Sequence, residues 1–452
     1  MVRSFEDVFA NTDRLKLVTS KNIISMKWGV EGNPLLSSIL AQGLWSGTNF
    51  LVALILIRHF SLSDFGWFGF ILTIRLGFIM LFAALVISPM IVIAGRYHDL
   101  RDKQSFLIKL LQPFQMLLFL VLMVGLFVAP FFPFSLFAYL MFIIGGITME
   151  IQRRIHFILE QGHQDLFGGG FVLLVSIGGI LTLANFDLLS LPRVLAWFGV
   201  TQFLWAIASG ARIWLQLPRT IDFRPYQECW KIGRWDLGST AFGFSYSQFM
   251  TFATLGFLGP TGLAVLELGR QIVAPLQVIL FGAGNIYSTR LAKKVAHTPR
   301  NVLLSEIWKL TKYQTLVGIV VQLLILLSLP LLLPWLVPGK EDAYSLSITI
   351  AWILGGAMVF QLLWQNPSFG LVLFGKPNYG FYTRALVTVI IIPVGYVLTK
   401  GFGVLGAAWI RLIGECLVFL FSTFFLYRAA YGPSGIDTIF HHLTGRKPRR
   451  AD

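Results

Sequence analysis

SGTNFLVALILIRHFSLSDFGWFGFILTIRLGFIMLFAALVISPMIVIAG, residues 46–95, is an apolar span carrying Asn49, a short polar turn closed by Asp64-Phe65-Gly66, and a second apolar span. The second span holds one arginine, Arg75, nine residues past that glycine. The plan returns in SYSQFMTFATLGFLGPTGLAVLELGRQIVAPLQVILFGAGNIY, residues 245–287. There the polar-Phe pair is Gln248-Phe249, the turn closes at Gly259-Pro260-Thr261-Gly262, and Arg270 lies eight residues past the last glycine. Matched spans around a drifting loop are the mark of a duplicated unit. The chain therefore reads as two tandem halves, each carrying an arginine deep in a membrane.

Working outward, 452 residues that are 56% hydrophobic and 13% charged, with mean hydropathy +0.73, cannot cover a soluble surface with polar groups. The net charge of +15 raises nucleic acid as a partner. That reading needs Lys and Arg clustered with aromatic residues on one solvent face, whereas here they alternate between loops, so no nucleic-acid partner is expected. Two cysteines, Cys229 in a loop and Cys416 in a span, build neither a disulfide framework nor a metal site. Residues 1–33 are charged and only amphipathic, without the compact apolar core of a cleavable signal peptide.

Apolar periodicity predicts an all-α membrane protein with twelve spans, at 35–57, 67–94, 111–130, 132–150, 168–186, 190–211, 237–258, 262–288, 313–337, 344–366, 380–399 and 403–427. Positive residues are retained on the cytoplasmic side. Of the 36 Lys and Arg residues, twenty-eight fall on one side of this arrangement and only Arg58, Arg193, Lys340 and Lys400 on the other. Both termini are therefore expected in the cytoplasm. The expected divisions are an amphipathic basic segment at 1–34 lying on the membrane surface or forming a disordered tail, six-helix bundles at 35–218 and 219–430, and a basic tail at 431–452. The basic inner connections are suited to anionic membrane lipids. All outer connections are short, which leaves no room for an extracytoplasmic catalytic domain, and the chain does not read as an enzyme.

The remaining four basic residues, Arg75, Arg270, Arg384 and Arg411, lie inside spans, where an arginine is kept only with a partner or a wet cavity. Arg75, Arg270 and Arg411 follow Gly66, Gly262 and Gly403 by nine, eight and eight residues. At ~1.5 Å per residue they share a depth of roughly 12–14 Å, near mid-membrane. Arg270 has Glu267 three residues before it and Arg411 has Glu415 four residues after it, so each pair also fits a salt bridge along one helix face. Arg75 has no acid within a helical turn and must be met by another helix, water or a ligand. Arg384, near the inner edge of its span, is placed to reach lipid phosphates.

Guanidinium groups in a wet cavity suit an anion, and their geometry matches phosphate oxygens. Gln42 and Asn49 on span 1, Ser245 and Gln248 on span 7, and Gln361, Gln365 and Asn366 on span 10 either line such a cavity or bond between helices. Pro89, Pro275, Pro330, Pro334 and Pro393 mark expected kinks. No Gly-rich loop with Gly-Lys-Ser/Thr is present, so ATP is not bound in that manner. His156, Glu160 and His163 in an inner connection read as a solvated helix face rather than a metal site, and no metal or cofactor is expected.

Leu62-Ser63-Asp64-Phe65-Gly66, the run from Gly233-Arg234-Trp235 to Gly259-Pro260, then Pro275-Leu276 and Arg290-Leu291, resemble the multidrug/oligosaccharidyl-lipid/polysaccharide exporter superfamily, and within it the Wzx-type polysaccharide (O-antigen) flippases. The resemblance covers residues 35 to 427. It implies two bundles around a central cationic cavity, alternating between inward-open and outward-open states in a bacterial inner membrane. Its cargo would be an undecaprenyl-diphosphate-linked glycan, with a polysaccharide polymerase machinery as a further partner. On that resemblance Arg75 and Arg270 are the main diphosphate contacts, with Arg411 third and Arg384, Asn49 and Gln248 beside them. Glu267 and Glu415 would tune those charges or take up a coupling ion. A drug/cation antiporter of the same superfamily is the first rival, although residues 35–57 hold no Asp or Glu; a membrane glycan polymerase or ligase is the second.

Overall fold

The computed structural model describes residues 34–94, 97, 99–128, 134–159, 161–214, 224–294, 298–336 and 341–432. The segment 1–33, the expected boundary near Arg219 and residues 433–452 lie outside the described residues. Those described form an all-α protein without a strand: α1 (Pro34–His59), α2 (Leu62–Phe82), a π-turn (Ala83–Ile87), α3 (Ser88–Ala94), α4 (Leu100–Val128), α5 (Phe134–Ile158), α6 (Gly162–Asn185), α7 (Leu191–Ser209), α8 (Ala211–Trp214), α9 (Arg224–Lys294), α10 (Arg300–Leu336), α11 (Glu341–Leu373) and α12 (Pro377–Tyr431).

The expected turn at Asp64-Phe65-Gly66 is already helix. Ser61 caps α2 by accepting from the Asp64 backbone N–H at 3.1 Å, while its hydroxyl donates to the Asp64 carboxylate at 2.7 Å. These bonds satisfy the first turn, so α2 starts five residues before the predicted span at 67. Farther along, Pro89 has no N–H for the Leu85 carbonyl and its ring crowds that oxygen. The helix widens there, with the Ser88 N–H reaching back to the Ala83 carbonyl.

Nine helical stretches among the described residues are long and apolar enough to cross a membrane. Two of them, in α9 and α12, are broken by Gly259 (φ 69°) and Gly403 (φ 59°), in a region of backbone space that glycine reaches without steric cost. Each folds back on itself. In α12 a side chain at Gly406 would meet the Leu398 carbonyl, and a Cβ at Gly414 would lie 3.7 Å from Ile391; in α9 Arg270 reaches Thr251 across the hairpin at 3.3 Å. Counting both limbs of each, and the 29-residue α4, the helices described are roughly consistent with the twelve expected spans.

In the first half α1 packs on α6 and α5 on α7, while in the second α9, α11 and α12 pack together. Backbones approach closely at Gly145 and Gly199, where a Cβ on either would strike the opposing main chain, the small-residue packing that helices use where lipid gives no hydrophobic drive. Outward faces are apolar: on α10, Leu316, Val320, Leu324, Leu327 and Leu331 are exposed at helical spacing, as a lipid-facing stripe requires.

The halves meet along α2. Gly66, Gly69, Thr73 and Gly77 form one stripe at spacings of three, four and four residues. A Cβ at Gly66 would overlap the Pro260 carbonyl, one at Gly69 would come within 2.9 Å of the Glu267 side chain, and one at Gly77 within 2.8 Å of the Phe244 ring. At the far end Gly233 of α9 packs against the Ala84 carbonyl and Pro89. The seam is closed from Gly66 to Gly77 of α2 and again at the π-turn and α3.

Candidate functional site: arginines at the seam

The first limb of α9 is the rib on which the second half's arginines are hung. Arg270, on the returning limb, sits 3.3 Å from the Glu267 carboxylate and donates to Gln248 at 3.5 Å and Thr251 at 3.3 Å. It also donates across the seam to the Thr73 hydroxyl of α2 at 3.4 Å. Glu267 is fully buried beneath Gly69 and accepts from Gln271 at 2.7 Å, while the Arg270 side chain remains 21% exposed. The carboxylate is thus fixed, and the guanidinium is the accessible partner.

Arg411 of α12 pairs with Glu415 at 2.7 Å and donates to the Ser247 carbonyl at 3.3 Å. Glu415, also fully buried, accepts from the Trp364 indole of α11. Both same-helix salt bridges that the sequence allowed are therefore formed. Arg384, expected to reach for lipid, instead donates to the Ser239 hydroxyl at 2.8 Å, with its stem against Gly243. Tyr246 lies in the field of Arg384, Arg411 and Glu415. Three guanidiniums thus face two carboxylates around one helical limb, an excess of positive charge that favours an anion.

Arg75 lies elsewhere. The shared depth predicted a single ring of arginines, but the Arg75 side chain turns away from the seam into the first half, between α5 and α7. Its guanidinium donates to Gln202, stacks 4.3 Å from the Phe142 ring and 5.4 Å from Phe198, and occupies the room left by Gly146. Arg75 is only 7% exposed, and its Nη1 meets no acceptor among the described residues. Two residues on a helix are turned by about 200°, so Thr73 and Arg75 point to opposite sides of α2.

Of the other predicted polar residues, Gln248 is buried beside Arg270, Asn49 is exposed on α1, and Ser245 is exposed and bonds within its own helix. Gln42 accepts from Arg153 at 2.8 Å and donates to Ser46 at 3.3 Å. Asn366 bridges α11 to α10 through Thr311 and Gln314, at 3.3 and 2.7 Å. His156, expected on a solvated face, is buried and bonded to Gln152 at 2.8 Å, because Trp214 of α8 closes over that side and donates to the same glutamine at 2.7 Å.

One network escaped the sequence reading. Arg153, counted among the basic residues of an inner connection, pairs with Glu150 at 3.1 Å and Asp165 at 3.3 Å and lies over the Trp45 ring at 5.3 Å. Arg154 joins Glu150 at 2.8 Å, and Trp45 donates to Asp165 at 3.2 Å. The network ties α1, α5 and α6 together. The spacings of Glu150 to Arg153 and Arg154 were its local signals.

No protein-family model matches the chain and no curated protein matches its sequence. Solved structures do match. The eukaryotic MATE transporter AtDTX14 superposes with TM-score 0.63 at 13% identity, covering 89% of this chain and 97% of that one. The lipid II flippase MurJ in an inward closed conformation gives 0.62 at 11% identity, covering 92% and 93%. This chain has their fold. An inward-facing multidrug resistance MATE family transporter of the MOP superfamily gives 0.60 at 13% identity, covering 87% and 95%. An outward-facing form gives 0.61, so the closed seam is read from the contacts along α2.

Proposed function

We propose that this protein flips a polyprenyl-diphosphate-linked oligosaccharide from the cytoplasmic to the outer leaflet of a bacterial inner membrane by alternating access, for surface polysaccharide assembly. The observation that carries the reading is Arg270: a partly exposed guanidinium at the seam, held by one fixed carboxylate and by weak bonds of 3.3–3.5 Å to Thr73, Gln248 and Thr251. A diphosphate offers stronger acceptors than these hydroxyl and amide groups, so its arrival draws Arg270 off Thr73 and loosens one tie between the halves. Arg411 and Arg384 supply further positive charge along the same limb, and Asn49 offers a polar contact on α1. Arg75 joins such a site only by leaving Gln202, and in the closed arrangement its role is to hold α2 to α5 and α7. The expected cytoplasmic termini and the polymerase partner belong to this reading.

The second reading is cation-coupled export of small molecules, favoured by two fully buried carboxylates, Glu267 and Glu415, each beside a charged partner, and by the fold held in common with MATE transporters. The excess of arginine over acid at the seam weighs against cationic cargo. Purified protein in proteoliposomes decides between them. Translocation of a fluorescent polyprenyl-diphosphate sugar that is lost in Arg270→Ala supports the flippase. Efflux of cationic dyes with no movement of the lipid-linked sugar supports the antiporter.

A further inference from the structure

A cavity of about 290 Å³ opens where the first half hands over to the second, far along α2 from the Gly66 end. Its walls come from Tyr97, after α3, from the first turns of α4, and from the first turn of α9. The junction around it is firmly made. The Tyr226 hydroxyl of α9 donates to the Leu110 carbonyl of α4, and Cys229 is buried among Met90, Leu107 and Leu110. Burial, with Glu228 nearby, pushes the Cys229 thiol up to about 11, so it stays protonated and unreactive at neutral pH. The chemistry of the cavity is therefore that of its lining charges.

Those charges come in both signs. Lys109 and Arg224 supply cations. Asp102 and Glu228 supply anions, with the Tyr97 ring and the Ser105 hydroxyl between. A simple anion would be repelled by the carboxylates and a simple cation by the basic pair, whereas a small molecule carrying phosphate and ammonium a few bonds apart satisfies both. The volume lies at the lower edge of ordinary ligand sites, which suits a head group. The residues belong to basic connections expected at the cytoplasmic face, level with phospholipid head groups.

We infer that this cavity binds a zwitterionic phosphoethanolamine group, its phosphate on Lys109 and Arg224, its ammonium between Asp102 and Glu228. An occupant touches α4 of one half and α9 of the other, and so braces this end of the seam. The site is independent of what the protein transports.

The test is thermal stability of the full-length protein, titrated separately with glycerophosphoethanolamine, inorganic phosphate, ethanolamine, and lipid nanodiscs of phosphatidylethanolamine or phosphatidylglycerol. The expected result is stabilisation by the phosphoethanolamine compounds alone, with binding weakened about tenfold in Lys109→Gln and in Asp102→Asn. Both residues are exposed, so neither change disturbs the core. Stabilisation by glycerophosphoethanolamine identifies a soluble source as sufficient; stabilisation by nanodiscs alone identifies the membrane lipid. Equal stabilisation by phosphatidylglycerol or by phosphate, no response to any compound, or unchanged binding in both variants overturns the proposal.

Discussion

Arg75 and Arg270 lie nine and eight residues past Gly66 and Gly262, yet one is locked inside its own bundle and the other stands at the seam. The difference lies in what each helix offers its arginine. Where the second copy has Glu267, three residues before Arg270, the first copy has Leu72 at the corresponding position. Arg270 is held by its own helix and needs only weak ties elsewhere. Arg75 has no such acid and is met by an amide and two aromatic rings from α5 and α7. The two charges are equal, and the one with a carboxylate beside it on its own helix is the one that remains accessible.

The largest test of this contrast removes the accessible charge. Arg270→Met combined with Glu267→Gln, which avoids leaving a buried carboxylate unpaired, is expected to fold and to lower flipping in proteoliposomes about a hundredfold. Transport at the wild-type rate would show that the seam arginine is a packing element like Arg75.

Next in size is the locked charge. Gln202→Leu strips Arg75 of its one hydrogen-bond acceptor among the described residues and should cost about 1.5–3 kcal/mol, read as a fall in melting temperature. In an Arg75→Met background the same change should cost little. Equal costs in both backgrounds would mean that the two side chains are not coupled.

The seam itself can be probed with a single methyl. Gly66→Ala drives a Cβ into the Pro260 carbonyl, and overpacking of this kind costs about 1–3 kcal/mol. The closed state should lose that amount, seen as faster labelling of a cysteine placed at Thr73. Gly47→Ala, with open space around the site, is the control expected to change nothing.

The smallest effect is expected at Asn49, where Ala should alter stability by no more than about 0.5 kcal/mol. A drop in flipping without a drop in melting temperature would then mark Asn49 as a cargo contact.

Composition and apolar periodicity carried the architecture, because lipid demands long apolar helices. The Arg270–Glu267 and Arg411–Glu415 pairs were legible for a related reason: both members sit on one helix, at spacings that sequence alone converts into contact. Arg75 was not legible. Its partners Phe142, Phe198 and Gln202 lie on helices brought close only by packing through Gly145, Gly146 and Gly199, and no local pattern points from one to another. The Arg153 network was hidden likewise, since Asp165, Trp45 and Gln42 come from other helices, and the arginine itself had been assigned to a loop. The early start of α2 was written in Ser61 and Asp64, but the following glycine looked like a turn closer.

The opposed directions of Thr73 and Arg75 restrict how the molecule can work. Spinning α2 about its long axis would tear the guanidinium out from between two benzyl rings at the same moment as it slid the hydroxyl past its neighbour. Tilting leaves the first of these undisturbed. The rod should therefore travel as cargo of its own bundle, with the sliding surface confined to its glycine-lined side.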